Sequence, residues 1–453
     1  MNEQPSNPSR WNQDSILLKL GFITALVLLL LIPSSWIQSL IDDRQNYQQQ
    51  NAGEVASKWA GNQLIQGPVL ALPYRKVITE NNSGGKPVTH PVTKILYVLP
   101  QTLHFEAGIK TESFEKSVYN TVVYTSNVTG SGSFNQADLL VQDIDPSMVL
   151  YDKARLIISV SDPKGLRDNP QVTIDGQRCN VEPAESENVP LNNAFVVNFT
   201  LSKDRGFNFG FVLSLKGSDQ LNFFDIAKTT SVNVTSDWNH PDFNGRYLPD
   251  TRTKKDKGFT ASWQIMNYNR PFPQQWTDGD SLLTNKKAIE AASFGVRTTP
   301  AINEYRKITR TAKYSILIIL LTFVSLFLTE MIRKQRIHLF NYSLIGAAMV
   351  VYYTLLLSFS EQIGYNLAYL LSSVATVTLI AVFVASLLKN KGMAYLFAMI
   401  LSIFYGFIFI IIQLEELSLL FGSVALFIII AVLMYFSRKI NWDKQSVYAP
   451  TNA

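Results

Sequence analysis

The stretch LLKLGFITALVLLLLIPSSWIQSLI, residues 17–41, decides the architecture. A helix needs about 20 consecutive apolar residues to cross the hydrocarbon core of a bilayer. This stretch meets that length, with Lys19 near its start. It is too long for the apolar region of a secretory signal, about 7–15 residues, and no small-x-small pattern accompanies Pro33-Ser34-Ser35-Trp36. The expectation is an uncleaved membrane anchor.

Five further apolar stretches lie at residues 314–332, 342–359, 366–388, 393–413 and 418–437. Residues 42–313 contain none. In lipid every backbone polar group must be bonded internally, so each stretch is expected to be helical. The layout predicts a membrane α-helical bundle of six spans, one plus five, with a large domain inserted between the first and second. Lys and Arg in short loops set the orientation. Arg333, Lys334 and Arg336 follow the second span, Lys389 and Lys391 the fourth, and Arg438, Lys439 and Lys444 the sixth. The alternate turns carry Glu361, Glu415 and Glu416. This alternation places residues 1–16 and the tail 438–453 in the cytoplasm, and the inserted domain in the periplasm of a bacterium.

The chain has 453 residues, 47% of them hydrophobic, and a net charge of +5. Its mean hydropathy of +0.08 averages two unlike materials. Much of the basic excess is the inside-positive signal, and no basic run is longer than a few residues, so no nucleic-acid partner is expected. The single cysteine, Cys179, has no intramolecular partner and is expected as a small buried side chain.

Within the inserted domain a Gln-rich, helix-like piece ends at Trp59. Runs rich in β-branched and aromatic residues then read as strands: Leu70–Tyr74, Lys94–Leu99, Val122–Thr125, Leu156–Val160, Ala194–Leu201, Phe209–Leu215, Ser231–Thr235 and Phe259–Met266. Asn82-Ser83-Gly84-Gly85 and Gly130-Ser131-Gly132 read as loops. Asp162-Pro163-Lys164-Gly165 suits a type I turn. Many short strands with such punctuation predict an all-β, sandwich-like domain, either one large unit or two smaller ones. Residues 300–310 read as a helical lead-in capped by Thr299, with Pro300 first and a continuous helix through Arg310–Tyr314 into the second span.

The last five spans carry no ionisable residue deep in their apolar cores; Glu330 lies at a span end. Such residues mark ion paths and proton relays, so a proton-coupled transporter is disfavoured. Thr322, Ser325, Ser372, Ser373, Thr376, Thr378, Ser402 and Gln413 suit interhelical hydrogen bonding. Tyr352, Tyr353, Tyr365, Tyr369, Tyr405 and Tyr435 fall at varied depths, and mid-span tyrosines need a partner for the hydroxyl. A binding stripe is the alternative to packing.

The densest polar cluster is Asp237-Trp238-Asn239-His240-Pro241-Asp242-Phe243. Carboxylates around a histidine could bind zinc or relay a proton. A zinc site takes about four ligands, and the spacing to His90 and His104 matches no metal motif. The expected reading is a structured turn. Asp237, Trp238, His240 and Asp242 are the candidate partner contacts. Trp238, Trp263 and Trp276 suit a sugar-stacking surface or simple packing. No phosphate loop, Cys-x-x-Cys pair or nucleophile elbow occurs, so no catalytic, metal or cofactor residue is assigned.

Ordered fragments then resemble the CreD family of bacterial inner-membrane proteins, end to end. They are Leu30-Leu31-Ile32-Pro33, Gly67-Pro68-Val69-Leu70-Ala71-Leu72-Pro73, and Ile157-Ile158-Ser159-Val160-Ser161-Asp162 with Gly165. Thr235-Ser236-Asp237-Trp238-Asn239-His240-Pro241 follows, with Phe243, Gly245, Leu248-Pro249, Gly258-Phe259 and Trp263. Arg310-Thr311-Ala312-Lys313-Tyr314, Ser360-Glu361-Gln362-Ile363-Gly364-Tyr365 and Arg438-Lys439-Ile440-Asn441-Trp442 complete the set. The resemblance implies an inner-membrane protein tied to envelope integrity, colicin tolerance and the response to β-lactams, with no assigned activity or catalytic residue. The expected role is non-enzymatic: support of the cell envelope under stress, through a periplasmic domain that binds an envelope protein, on a base in contact with membrane lipids. The alternatives are a channel or lipid/solute transporter with a periplasmic receptor domain, and a periplasmic hydrolase using Asp237, His240 or Asp242.

Overall fold

The computed structural model describes residues 16–437 apart from 82–86, 117–118, 140–143, 185–188, 204, 271, 278–282, 284, 299–302, 334–336, 389–390 and 415–417. The expected loop at Asn82–Gly85, the Thr299-Pro300 cap and the loop charges Lys334, Arg336, Lys389, Glu415, Glu416, Arg438, Lys439 and Lys444 lie outside the described residues. The chain divides into two compact units, Met1–Gln48 with Ile302–Ala453, and Gln49–Ala301.

Helix α1 (Ile16–Trp59) opens the chain and contains Pro33. Proline lacks an N–H, and nearby hydroxyls turn back onto the helix: Ser34 Oγ donates to Leu30 O at 3.0 Å and Ser35 Oγ to Ile32 O at 2.7 Å.

The second unit is built from strands. The first five are β1 (Gln63–Asn81), β2 (Pro87–Val98), β3 (Thr102–Lys116), β4 (Tyr119–Phe134) and β5 (Ala154–Val160). Next come β6 (Gln171–Ile174), β7 (Gln177–Cys179), β8 (Glu182–Pro183), β9 (Ala194–Phe199), β10 (Phe207–Ser218) and β11 (Gln220–Phe224). The last six are β12 (Thr229–Ser236), β13 (Asp242–Gly245), β14 (Thr251–Lys254), β15 (Phe259–Met266), β16 (Gln275–Thr277) and β17 (Ser293–Arg297). The short helix α2 (Lys286–Ala292) precedes β17, and Asn285 Oδ1 caps it by accepting from Lys287 N at 3.0 Å.

Two sheets result. One has nine strands in the order β13-β17-β11-β1-β5-β9-β8, with β2 on β1 and β16 on β2. The other has eight, in the order β14-β15-β12-β3-β4-β10-β6-β7. β1 pairs with β11, and β3 with β12, in parallel; the other ladders are antiparallel. Alternate residues of β12 and β15 are buried, the period-2 signature of a sheet with one face on a core. Rings from the two sheets meet in that core: Phe105 on β3 lies 5.0 Å from Phe223 on β11, and Trp263 on β15 lies 5.8 Å from Phe294 on β17. One hydrophobic cluster serves both sheets, so this is a single sandwich-like domain.

All eight expected strands exist. The expected loop at Gly130-Ser131-Gly132 does not: it lies inside β4. A Cβ at Gly130 would sit 2.0 Å from the Phe211 ring, and one at Gly132 would sit 2.6 Å from the Phe209 ring and 2.0 Å from Thr102 O. These glycines face Phe211 and Phe209 across the β4–β10 ladder, and their missing side chains are the space the rings occupy. Asp162–Gly165 forms the expected turn, with Gly165 N on Asp162 O at 3.0 Å and Lys164 N on Asp162 Oδ1 at 3.1 Å. Cys179 differs from expectation: on β7, at the end of its sheet, it is only half-buried.

The first unit contains α3 (Asn303–Lys313), α4 (Ser315–Arg333), α5 (Leu339–Ile363), α6 (Tyr365–Leu388), α7 (Lys391–Gln413) and α8 (Ser418–Ser437). The expected continuous helix through Arg310–Tyr314 is corrected: α3 and α4 meet at Tyr314 with a 41° bend. There the Tyr314 N–H is shared between the carbonyls of Arg310, four residues back, and Thr311, three back, both at 3.2 Å, a tightened turn between the two helices. Among the described residues four helices are long and apolar enough to cross a membrane, and five if the bent pair counts as one. Gly364, at φ +76°, ends α5 and lets α6 begin at the next residue.

Candidate functional site

The cluster singled out in the sequence is the connection that carries the chain from β12 in the eight-stranded sheet to β13 in the nine-stranded one. Its polar atoms are occupied in holding that crossover. Asp237 Oδ1 accepts from Thr111 N and Thr111 Oγ1 on β3, both at 2.9 Å. Trp238 N donates to Ser236 Oγ at 3.1 Å, and Trp238 Nε1 to His240 O at 2.8 Å. Asn239 Oδ1 accepts from Gly258 N at 2.9 Å. Asp242 faces Arg297 on β17 at 3.4 Å, and Arg297 also reaches Asp219 at 3.4 Å. Phe243 turns inward, 5.8 Å from both Phe259 and Trp263.

Two glycines make this close approach feasible. Gly258, at φ +98°, would place a Cβ 1.8 Å from Ser236 O, and Gly245, at φ +88°, one 2.3 Å from Ser293 O. The landmark residues between Thr235 and Gly258 therefore lie where the chain passes from the eight-stranded sheet to β13 and back.

Of the four candidate contacts, Asp237, His240 and Asp242 are exposed and Trp238 is half-buried. Their carboxylates and imidazole do not converge. Asp237 is turned to β3 and Asp242 to β17. His104 is engaged elsewhere, with Ser231 at 2.8 Å and Glu106 at 3.0 Å. That contact and an Asn233 hydrogen bond, the larger effect, hold the Glu106 carboxyl below its usual value. Among the described residues no group of three or more His, Cys, Asp or Glu side chains is placed to hold a metal. Trp263 and Trp276 are buried, Trp276 stacked on Tyr97 at 5.4 Å, so they share no exposed stacking surface with Trp238.

A second polar centre escaped the sequence reading. Asp225 follows β11 and is 0% exposed. Its N–H donates to Ala292 O at 2.8 Å, and its Oδ1 accepts from Thr230 Oγ1 at 2.9 Å, while Oδ2 has no hydrogen-bond partner. Burial pushes its carboxyl up to about 6, opposed by the Thr230 bond and by the charges of Arg270 and Arg246. Arg270 is occupied with backbone: Nε donates to Phe272 O at 3.0 Å and Nη1 to Ile226 O. The available signal was an Asp inside the apolar run Phe223-Phe224-Asp225-Ile226-Ala227.

In the first unit, charge gathers at both helix ends. Lys19 pairs with Glu330 and donates to Ile337 O at 2.8 Å, and Tyr342 OH donates to Glu330 Oε2 at 3.0 Å. At the other ends of α5, α6 and α7, Tyr305 OH reaches Glu361 Oε1 at 3.2 Å, Lys307 Nζ reaches Gln413 Oε1 at 3.2 Å, and Gln413 Nε2 reaches Asn366 Oδ1 at 2.6 Å.

Long apolar helices together with a large two-sheet domain define an integral membrane protein with a β domain. The chain belongs to the family described as inner membrane protein CreD, whose match runs over residues 15–443. The inner membrane protein CreD of Escherichia coli (strain K12) is 26% identical over 431 residues, 94% of this chain and 93% of that protein. The relative and the apolar helices together support an inner-membrane location.

Solved structures resemble the chain only weakly. The M1 zinc metallopeptidase from Deinococcus radiodurans aligns at 10% identity over 37% of this chain and 38% of its own, with a TM-score of 0.18. Legionella pneumophila aminopeptidase A in complex with aspartic acid aligns at 10% identity over 41% and 21%, with a TM-score of 0.19. The chain spans well under half of either, and likeness at this level carries no argument about activity.

Proposed function

We propose that this protein is a non-enzymatic inner-membrane protein that supports cell envelope integrity under stress, its two-sheet domain binding an envelope protein. The proposal includes six spans, cytoplasmic termini and a periplasmic domain. α8, with 20 residues, supplies the sixth span beside α1, the bent pair, α5, α6 and α7. One observation carries the binding role. The crossover spends its inward atoms on fixing its own shape and leaves His240 facing solvent, while Asp242 on β13 and Arg246 and Leu248 in the following β13–β14 connection are exposed as well. Leu248 is 71% exposed, two residues after Arg246, whose guanidinium is pinned to Ala291 O at 3.1 Å. A rigid loop presenting an apolar side chain among charges suits protein contact.

The test is in-cell photo-crosslinking from positions 240 and 246, with identification of the adducts. A reproducible envelope-protein adduct is expected. Adducts with lipid alone, or none, would overturn the binding role.

A second reading, a channel or lipid/solute transporter with the domain as receptor, is favoured by one observation: unpaired hydroxyls buried in the middle of the helix bundle. Uptake or release of a solute by the purified protein in vesicles tests it.

A further inference from the structure

Five hydroxyls buried inside the bundle have no hydrogen-bond partner: those of Tyr352 and Tyr353 on α5, Ser372 and Ser373 on α6, and Tyr405 on α7. None of these residues is more than 8% exposed. Their rings form one assembly. Tyr352 lies 4.8 Å from Tyr353, 4.9 Å from Tyr405 and 6.1 Å from Tyr369, all edge-on. Ser373 neighbours Tyr352 and Tyr369, but the approach falls short of a hydrogen bond at the serine oxygen. By contrast Tyr369 OH is satisfied by Tyr405 O at 2.7 Å, and Tyr365 OH by Thr311 Oγ1 at 2.9 Å.

Buried polar groups in folded proteins are almost always paired, and in lipid no bulk water can make up the loss. One orphan hydroxyl is an exception; those of Tyr352, Tyr353, Tyr405 and Ser373, neighbours on three helices, define a place where a hydrogen-bonding group belongs. We propose that this cluster is a binding site for a neutral hydroxyl or carbonyl group, supplied by water or by the polar end of an uncharged lipid. The group is neutral because no charged side chain lies among the five residues, and an ion there would lack a counter-charge. Lys307 sits at the Glu361 end, 5.8 Å above the Tyr365 ring and bonded to Gln413, and Arg310 lies one turn further along α3, beside the Thr311 that bonds Tyr365. Polar side chains connect that end to the site through Thr311, Tyr365 and Tyr369. Beyond the site, toward Glu330, the buried side chains of α5 and α6 include Thr376 and then Met349, Ile345, Ile380 and Val384. The site is therefore approached from the Glu361 end and backed by mainly apolar packing on the other side. It requires no transport, since a resident group would equally brace a static bundle.

The test uses the full-length protein in detergent. Dioctanoylglycerol, neutral with a free hydroxyl, is titrated against dioctanoyl phosphatidic acid while thermal melting is followed. For a lipid occupant, dioctanoylglycerol raises the melting temperature by about 3 °C or more well above its Kd, and the Tyr353→Phe/Tyr405→Phe double variant loses the shift. For water, neither lipid acts, but Ser373→Cys in a Cys179→Ser background is alkylated by neutral N-ethylmaleimide in the folded protein. Two results overturn the site: absence of both the diacylglycerol shift and the labelling, or a shift by phosphatidic acid alone that the double variant abolishes. Tyr→Phe variants melting above the native protein would mark the hydroxyls as simply unpaired, in line with the first of these.

Discussion

Asp237 Oδ1 accepts two hydrogen bonds from one residue, Thr111, through its backbone N–H and its hydroxyl, each 2.9 Å long. The contact fixes the point where the chain leaves β12 to β3, its parallel neighbour. Hydrogen bonds to a charged acceptor contribute about 1.5–3 kcal/mol, less when exposed as here. Asp237→Ala is expected to lower stability by about 1–2 kcal/mol, while His240→Ala stays within about 0.5 kcal/mol. Thermal melting of both variants checks this. Equal melting temperatures would remove the structural role of Asp237.

Asp225 sets a pH dependence. Burial raises its carboxyl in the folded protein from 3.8 to about 6, so the native state holds the proton more tightly than the unfolded chain. The stability it confers is full below pH 3.8, declines as pH rises toward about 6, and is flat above that. At 1.36 kcal/mol per pH unit the swing is about 3 kcal/mol. Exposed carboxylates such as Asp145, lowered by its hydrogen bonds to Ser147, act in the opposite sense. The clean readout is therefore the difference between native protein and Asp225→Asn. The native advantage is expected to shrink from pH 4 to 6. A difference independent of pH would mean that Asp225 titrates normally.

Gly130 and Phe211 share one volume. Gly130→Ala forces the Phe211 ring aside and is expected to cost about 1–3 kcal/mol, the range of overpacked cores. Adding Phe211→Leu to Gly130→Ala should recover part of that loss, because the two positions are coupled. Additive losses in the double variant would show that the ring is not what the glycine accommodates.

The Lys19–Glu330 pair is predicted to hold α1 to α4. Removing one partner leaves a charge without its counter-ion, a change that costs about 3–5 kcal/mol in buried pairs. Glu330→Ala is expected to lower the melting temperature in detergent sharply, and Lys19→Met with Glu330→Met to restore much of it. No difference between the single and double variants would show that the charges are independently solvated.

Runs rich in β-branched and aromatic residues made the strands legible. Ser231–Thr235 and Phe259–Met266 alternate because one face of each is solvated, and that pattern needs no partner to be seen. Gly130-Ser131-Gly132 misled for the complementary reason. A glycine that makes room for a ring looks like a turn until the facing strand is known. The bend at Tyr314 was likewise hidden, since both flanking segments favour helix and only the 41° angle between the folded helices shows it. Asp225 was passed over because a carboxylate in an apolar run acquires meaning from Thr230 and Arg270, which come from other segments.

The sequence by itself determined the membrane helices, the inserted β domain and the family, because hydrophobic length and period are local properties of the chain. Tertiary structure alone decided that the Asp237–Phe243 stretch is a crossover between sheets, that Lys19 meets Glu330, and that hydroxyls on α5, α6 and α7 are buried without partners. These are pairings between residues far apart in the chain. They follow from the order of strands and the packing of helices, which no local pattern encodes.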